Sequence, residues 1–289
     1  SLGYSTVFVP DHFGPQWDPV ATLAAAGAVT ERLNVGSLVY DVDYRHPVVL
    51  AKAAATTHLL SGGRHEFGLG AGWMESDYVE AGMTYDRPGI RISRLEEALQ
   101  IIRSMWTQER TSFQGKHYTV RDVARAAAGL DPGAPPKILI GGGGPRILGI
   151  AGRHADIVGI NPKMIDGKIV PATPADLRPE NVREKVRWVR EAAEAAGRDP
   201  DRLAFNALAF VVQVSDAPSG LRGALAKSSG MSEEEVADCP IVLTVSASEI
   251  RERLEKRREE TGISYVVLAA TAHEALESFA EVVAPLAGK

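Results

Sequence analysis

Four consecutive glycines, Gly141–Gly144, followed by Pro145, constrain this chain more than any other stretch. The apolar run Ile138–Ile140 leads into them. Ile147, Leu148, Ile150 and Ala151 follow at helical spacing, and a second apolar run, Ile157–Ile160, comes next. The pattern predicts strand, glycine turn, helix, strand. Proline is favoured in a first helical turn because its missing N–H would have had no partner there. Glycine has no Cβ, so the turn accepts unusual dihedrals and close approach by another molecule. Unpaired N–H groups at a helix N-terminus, with the positive end of its dipole, form an anion site. A phosphate, of the kind a cofactor carries, is therefore expected on Gly142, Gly143 and Gly144. The competing reading is a tight strand–helix connection with no ligand. No Lys-Ser or Lys-Thr follows the glycines, which excludes a Walker loop. The next strand ends at Ile160-Asn161-Pro162, without the acidic residue that holds a ribose in dinucleotide folds.

The rest of the chain alternates strand and helix signals. Apolar, β-branched runs predict strands over residues 4–9, 34–39, 65–69, 138–141, 157–160, 205–213 and 264–269. Helices are expected over Asp18–Arg32 (Asp18 as cap, Pro19 in its first turn), His46–Ser61 (closed by Gly62-Gly63), Arg91–Gln108, Asn181–Ala196 and Glu274–Ala284, with one or two more within Ser232–Gly262. Residues 109–135 form an excursion with a short hairpin around Gly115, and Pro162–Pro179 reads as a polar, proline-punctuated loop expected to move. Such alternation implies an α/β fold with a parallel sheet and right-handed crossovers. A (β/α)8 TIM barrel needs eight strands. Seven strands, with a start at Ser1 inside a βα unit, predict a barrel whose first strand and helix precede Ser1; a doubly wound open sheet is the competing architecture. No internal repeat or linker appears, so residues 1–289 read as one domain, with 109–135 and 162–180 as insertions.

Composition narrows the function. The net charge of −5 leaves no basic footprint for nucleic acid. A single cysteine, Cys239, excludes an internal disulfide framework and a cysteine metal cluster, and reads as inert. No apolar run is long enough to span a membrane, and no signal peptide is visible, so a cytoplasmic location is expected.

In a barrel the C-terminal ends of the strands build one site. Asp11 and His12 lie at the first such end. They are candidates for a metal pair, an acid/base pair, or a cap followed by a core residue. The lack of a clear third ligand weighs against metal. The favoured role for His12 is a proton or hydrogen-bond donor, since its charge switches near neutral pH. Trp17 and Trp73 are candidates to wall a planar ligand, against ordinary core packing. Arg45 and His46 either hold an anion or pin a turn. The charge run Arg251–Glu260 reads as a solvated helix face.

Four groups of residues, in order and in register, carry a family resemblance. They are Val9-Pro10-Asp11-His12; Val35-Gly36-Ser37 with Tyr44-Arg45-His46-Pro47; Leu60–Arg64 with Gly68-Leu69-Gly70-Ala71-Gly72-Trp73; and Ile140–Arg146 with Ala155-Asp156-Ile157. Together they resemble the luciferase-like flavin and deazaflavin oxidoreductases, in the actinobacterial branch that uses coenzyme F420. The resemblance implies a bacterial-luciferase-type barrel, a homodimer, and a tricyclic cofactor ring across the C-terminal mouth. It implies a non-proline cis peptide at Leu38–Val39 backing that ring, Ser37 at the ring edge, and Asp11, Ala71 and Gly72 near the cofactor. Gly143 and Gly144 would hold its phosphate, and His12 would lie beside the reacting carbon. Separately from the resemblance, the longer anionic tail of F420 asks for a wider basic mouth than FMN does, and Arg146, Arg153 and Lys163 are candidates to provide it. One departure stands out. Family members that oxidise sugar phosphates carry a glutamate directly after the Gly-x-Gly turn, and this chain has Trp73 there. That points to a flatter, less charged small-molecule substrate. The function expected is hydride transfer with F420. Alternatives are an FMN-dependent monooxygenase using oxygen, an aldolase or isomerase barrel using the phosphate site alone, and a non-catalytic flavin-binding protein.

Overall fold

All seven strands expected from the apolar runs form, and the way they pair accounts for several of the glycines. The computed structural model describes residues 2–164, 168, 170–214, 219–246, 249–269, 276–277 and 279–280. The chain divides into two compact units, residues 5–140, and residues 141–289 together with the first four.

The first unit holds β1 (Thr6–Val9), α1 (Pro19–Val29), β2 (Asn34–Ser37), β3 (Tyr40–Asp41), α2 (Pro47–Leu60), β4 (His65–Gly70), α3 (Glu75–Glu80), α4 (Pro88–Thr107), the hairpin β5 (Arg110–Gln114) and β6 (Thr119–Ala124), and most of β7 (Lys137–Gly142). Strands β1, β2, β4 and β7 pair in that order, all parallel, and β3 pairs with the far end of β4. The helix boundaries follow local chemistry. The Asp18 carboxylate accepts the Ala21 N–H at 2.9 Å at the start of α1, and His46 caps α2 by accepting the Val48 N–H at 3.3 Å. Gly62 and Gly63 end α2 with φ of +63° and +88°, a conformation that favours glycine. Helix α4 buries Leu95, Leu99, Ile102 and Trp106, its expected apolar face. Trp106 donates Nε1–H to the Ala51 carbonyl of α2 at 3.0 Å and meets Phe67 of β4 edge-on at 5.2 Å. The six-residue helix α3 is too short for its periodicity to show in the sequence.

The second unit holds α5 (Pro145–His154), β8 (Ile157–Ile160), a 3₁₀ turn (Thr173–Leu177), α6 (Pro179–Ala195), β9 (Ala204–Ala209), β10 (Val211–Val214), α7 (Ser219–Ser229), α8 (Glu233–Asp238), β11 (Val242–Val245), α9 (Glu249–Thr261) and β12 (Ile263–Leu268). Strands β8, β9 and β12 are parallel neighbours, and β10 pairs parallel with β11. Two corrections follow. The run 205–213 is two strands broken at Phe210, because Phe210 and Val211 both donate to the Ile241 carbonyl and turn the chain onto a different neighbour. That neighbour, β11, lies in a stretch that reads as helical; four apolar residues are too few for periodicity to separate strand from helix. Helix α7 is also unexpected from the sequence. In the charge run on α9, Arg257 is an exception to the solvated face: it is buried, donates to the Cys239 carbonyl at 3.2 Å, and its guanidinium is pushed down to about 10 by that burial. Cys239 itself is buried and its thiol is pushed up to about 11 by burial, an inert setting. Within the loop Pro162–Pro179, positions 165–167 and 169 lie outside the described residues, as does most of the expected helix Glu274–Ala284. Among the described residues no helix is long and apolar enough to cross a membrane.

Candidate active site

Asp11 and His12 follow β1 and have separate partners. The buried Asp11 carboxylate accepts from Arg45 Nη1 at 2.6 Å and from the Asp41 N–H at 3.1 Å, and Arg45 also reaches Asp18 at 3.0 Å. Asp11 and Arg45 are thus a brace between β1 and β3, the structural alternative for both. His12 is different. Its ring is partly open to solvent, and Nδ1 lies 2.6 Å from Oδ2 of the buried Asp77 on α3. Its edge faces Trp73 at 5.9 Å and 89°. Trp73 is half-buried, whereas Trp17 is 80% exposed on the segment before α1.

The peptide bond Leu38–Val39 is cis, at the position the resemblance implied, and both residues are half-buried. Ser37 is not available at a ligand edge. It is fully buried, and its hydroxyl donates to the Gly68 carbonyl and accepts the Gly68 N–H. A Cβ at Gly68 would overlap the Ser37 carbonyl oxygen, and one at Gly70 would lie 2.6 Å from a Val39 methyl. The Gly-Leu-Gly alternation in β4 is therefore the footprint of residues 37–39 lying on it. Ala71 is almost buried. Gly72 has φ +68°, and a Cβ there would overlap Tyr78 Oη. Arg91 of α4, itself buried, donates to the Ala71 carbonyl at 2.9 Å and to the Gly72 carbonyl.

Behind His12 sits a layer of acids and phenols. Tyr44 Oη donates to Asp77 at 3.2 Å, and Tyr78 Oη contacts Asp41 at 2.8 Å and Asp43 at 3.0 Å. Arg94 bonds Asp43 at 2.9 Å. Burial pushes the Asp41 carboxyl up to about 6 against the hydrogen bonds from the Asp43 N–H and Tyr78 that lower it. Nothing in the sequence marks Asp77. It sits in a short helix with no strong periodicity, and only its approach to His12 singles it out.

The glycine turn lies in the second unit. The Asn161 N–H donates to the Gly142 carbonyl at 3.0 Å, and a Cβ at Gly142 would overlap the Ile147 side chain. A Cβ at Gly143 would overlap the Pro162 carbonyl group. Glycine at 142 and 143 is thus required by the protein's own packing. Gly144 differs, because a Cβ there meets nothing within 4 Å. Helix α5 has no side-chain cap, and Arg146 in its first turn is exposed, as are Arg153 in its last turn and Lys163 beyond β8. Lys185 of α6, buried to 2% exposure, donates to the Gly143 carbonyl and pairs with Asp176 at 2.8 Å, and Asp176 accepts the Lys163 N–H at 2.6 Å. In a trans peptide the carbonyl and the following N–H point in opposite directions. With its carbonyl held by Lys185, the Gly143–Gly144 peptide directs the Gly144 N–H away from Lys185. Nothing in the sequence marks Lys185, since it occupies an ordinary position in an amphipathic helix.

Two curated relatives and a solved structure set this geometry among known proteins. The F420-dependent glucose-6-phosphate dehydrogenase of Intrasporangium calvum is 31% identical over 221 residues, covering 71% of this chain and 65% of the relative. The phthiodiolone/phenolphthiodiolone dimycocerosates ketoreductase of Mycobacterium bovis is 34% identical over 205 residues, covering 69% of this chain and 48% of the relative. The chain thus spans about half to two thirds of the length of these relatives. An F420-dependent secondary alcohol dehydrogenase, solved with an F420-acetone adduct, shares the α/β fold with a TM-score of 0.76 at 19% identity, covering 100% of this chain and 92% of the other. The family model for luciferase-like monooxygenases matches residues 1–227. The chain belongs to the luciferase-like monooxygenase family.

Proposed function

We propose that this protein is an oxidoreductase that transfers a hydride between coenzyme F420 and a small, weakly charged organic alcohol or carbonyl compound. The observation that carries this reading is the start of α5: an uncapped helix N-terminus, open space at Gly144, and a Gly143–Gly144 peptide whose carbonyl is held by Lys185 so that its N–H points away from that side chain. These groups fit a cofactor phosphate, because such N–H groups and the helix dipole favour an anion. Both curated relatives described above support the choice, one named for its dependence on F420 and the other as a ketoreductase.

When bound, F420 supplies the hydride chemistry, while orientation and proton handling belong to the protein. Gly144 and the first turn of α5 would hold the phosphate, with Arg146 beside them. By the family resemblance, Leu38 and Val39 would back the ring, with Ala71 and Gly72 near it. Ser37, Asp11 and Arg45 act through the backbone they brace. His12 exchanges a proton with the substrate oxygen, and Trp73 against it gives that position an apolar wall. Trp73 in place of a carboxylate argues for an uncharged substrate rather than a sugar phosphate. The single phosphate of FMN also fits the α5 cradle, so an FMN-dependent monooxygenase is the alternative. Titration of the protein with oxidised F420 and, separately, with FMN, followed by fluorescence quenching, tests the reading. Binding of F420 in preference to FMN is expected. Preference for FMN moves the protein to the oxygen-using alternative, and binding of neither overturns the phosphate cradle. Cofactor binding without turnover of any small alcohol or ketone leaves a flavin-binding protein.

A further inference from the structure

We infer that Asp77 is a positioning residue that holds His12 in the tautomer with its proton on Nδ1, leaving Nε2 as the nitrogen that exchanges a proton with substrate. This rests on the role proposed above for His12 and assigns the residue that makes that role possible. Asp77 is 4% exposed, and one of its oxygens, Oδ2, faces both His12 Nδ1 at 2.6 Å and Tyr44 Oη at 3.2 Å. An ionised carboxylate only accepts, so both contacts are donations to Asp77, from Nδ1–H and from the phenol. A neutral imidazole with its proton on Nδ1 carries its lone pair on Nε2. Free histidine in water favours the opposite tautomer, so the preference here is imposed by the protein.

The neighbours keep this geometry in place. Asp11, one residue before His12, is tied to Arg45 and the Asp41 N–H, which fixes the backbone from which the ring projects. Trp73 lies edge-on to the ring, and Phe13, one residue after, stacks on Tyr44 at 4.4 Å. Tyr44 thus touches both the Asp77 carboxylate and the chain beside His12. In alcohol oxidation the balance is explicit. The carbinol C–H bond breaks and its hydride passes to oxidised F420, the O–H bond breaks and its proton passes to Nε2, and a C=O bond forms. The imidazolium so produced lies against the Asp77 carboxylate, the arrangement by which a buried aspartate orients and stabilises a catalytic histidine. Ketone reduction runs the same transfers in reverse.

The test uses ligand-free, ¹⁵N-labelled protein. Two-bond ¹H–¹⁵N correlation spectra of the histidine rings, with His12 assigned by its loss in His12→Gln, are expected to show the Nδ1–H form in the wild type and the Nε2–H form in Asp77→Leu. Carbethoxylation of His12 by diethyl pyrocarbonate, read by mass spectrometry, reports the nucleophilicity of Nε2. It is expected to fall several-fold in Asp77→Leu and to recover in Asp77→Glu. A wild-type His12 in the Nε2–H form overturns the inference, as does unchanged modification in a folded Asp77→Leu variant. If that variant does not fold, the wild-type tautomer decides alone. Failure of F420 to protect His12 from modification, with the Nδ1–H tautomer present, counts against the proposed function and not against the pairing.

Discussion

Ser37 and Gly68 are joined across β2 and β4 by two hydrogen bonds, with the Ser37 hydroxyl donating to the Gly68 carbonyl at 2.8 Å and accepting its N–H at 3.0 Å. One buried hydroxyl thus satisfies both backbone groups of a residue whose missing Cβ lets residues 37–39 lie against the sheet. Ser37→Ala leaves the Gly68 N–H and C=O buried without that partner, at a cost of about 1–3 kcal/mol. Denaturant unfolding should show a lower midpoint at unchanged slope, with F420 affinity little altered.

The four glycines separate into packing and binding positions. Gly143→Ala drives a methyl into the Pro162 carbonyl group and should lower the thermal midpoint by several degrees. Gly144→Ala has room, with φ at −106°, and should leave the midpoint unchanged. Gly144→Val, with bulk on the open side, should weaken F420 binding by about tenfold or more, equivalent to about 1.4 kcal/mol. Thermal unfolding and fluorescence titration on the same samples separate the two effects.

Lys185→Met removes the buried donor to the Gly143 carbonyl and frees the Gly143–Gly144 peptide to rotate. Loss of a buried hydrogen-bonded partner costs about 1–3 kcal/mol. F420 affinity should fall while binding of the phosphate-free deazaflavin chromophore persists, measured by parallel titrations.

His12→Ala should reduce turnover by about 10²- to 10⁴-fold, the range for a positioned proton-transfer group, while F420 affinity stays within a factor of about two. Steady-state rates on any alcohol that the wild type oxidises, set beside the binding titration, check this. Unchanged turnover removes His12 from the proton path.

Two buried groups in the first unit act in opposite directions on acid stability. Asp41 is pushed up to about 6, so between about 4 and 6 the folded state holds more protons than the unfolded one, and Asp41 removes stability as pH rises. His65 is pushed down to about 4 by burial, so between about 4 and 6.5 the unfolded state holds more protons, and stability rises with pH. The two slopes oppose each other in the wild type. Asp41→Asn should unmask a stability that climbs from pH 4 to 6.5, and His65→Phe one that declines over pH 4 to 6, each on the order of 2–3 kcal/mol in urea unfolding.

The periodic and apolar runs are legible because they depend on local chemistry. Burial of alternating or helical faces, Pro19, Pro47 and Pro145 in first turns, and Gly62-Gly63 at a helix end all follow from residue type and spacing. The short strand Val242–Val245 is not legible, since its pairing depends on β10, which lies alongside it where Phe210 and Val211 donate to the Ile241 carbonyl. The glycine turn and His12 are legible from residue type and position, whereas the cis peptide at Leu38–Val39 comes only from the resemblance. The resemblance also assigned Ser37 to a ligand edge, where the structure uses its hydroxyl on Gly68 instead.

The α/β order of elements, the glycine turn before α5 and the histidine after β1 can all be read from the chain, because each is written in a few adjacent residues. Which groups meet is a matter of the folded backbone: Asp77 with His12 across 65 positions, Lys185 with Gly143 across 42, and Arg45 with Asp11 across 34. Asp77 and Lys185 are ordinary in their own segments, and nothing in the sequence pairs Arg45 with Asp11. Only folding brings a carboxylate within 2.6 Å of an imidazole or a buried ammonium onto a glycine carbonyl, and at those distances the low dielectric of the interior gives the contact its strength.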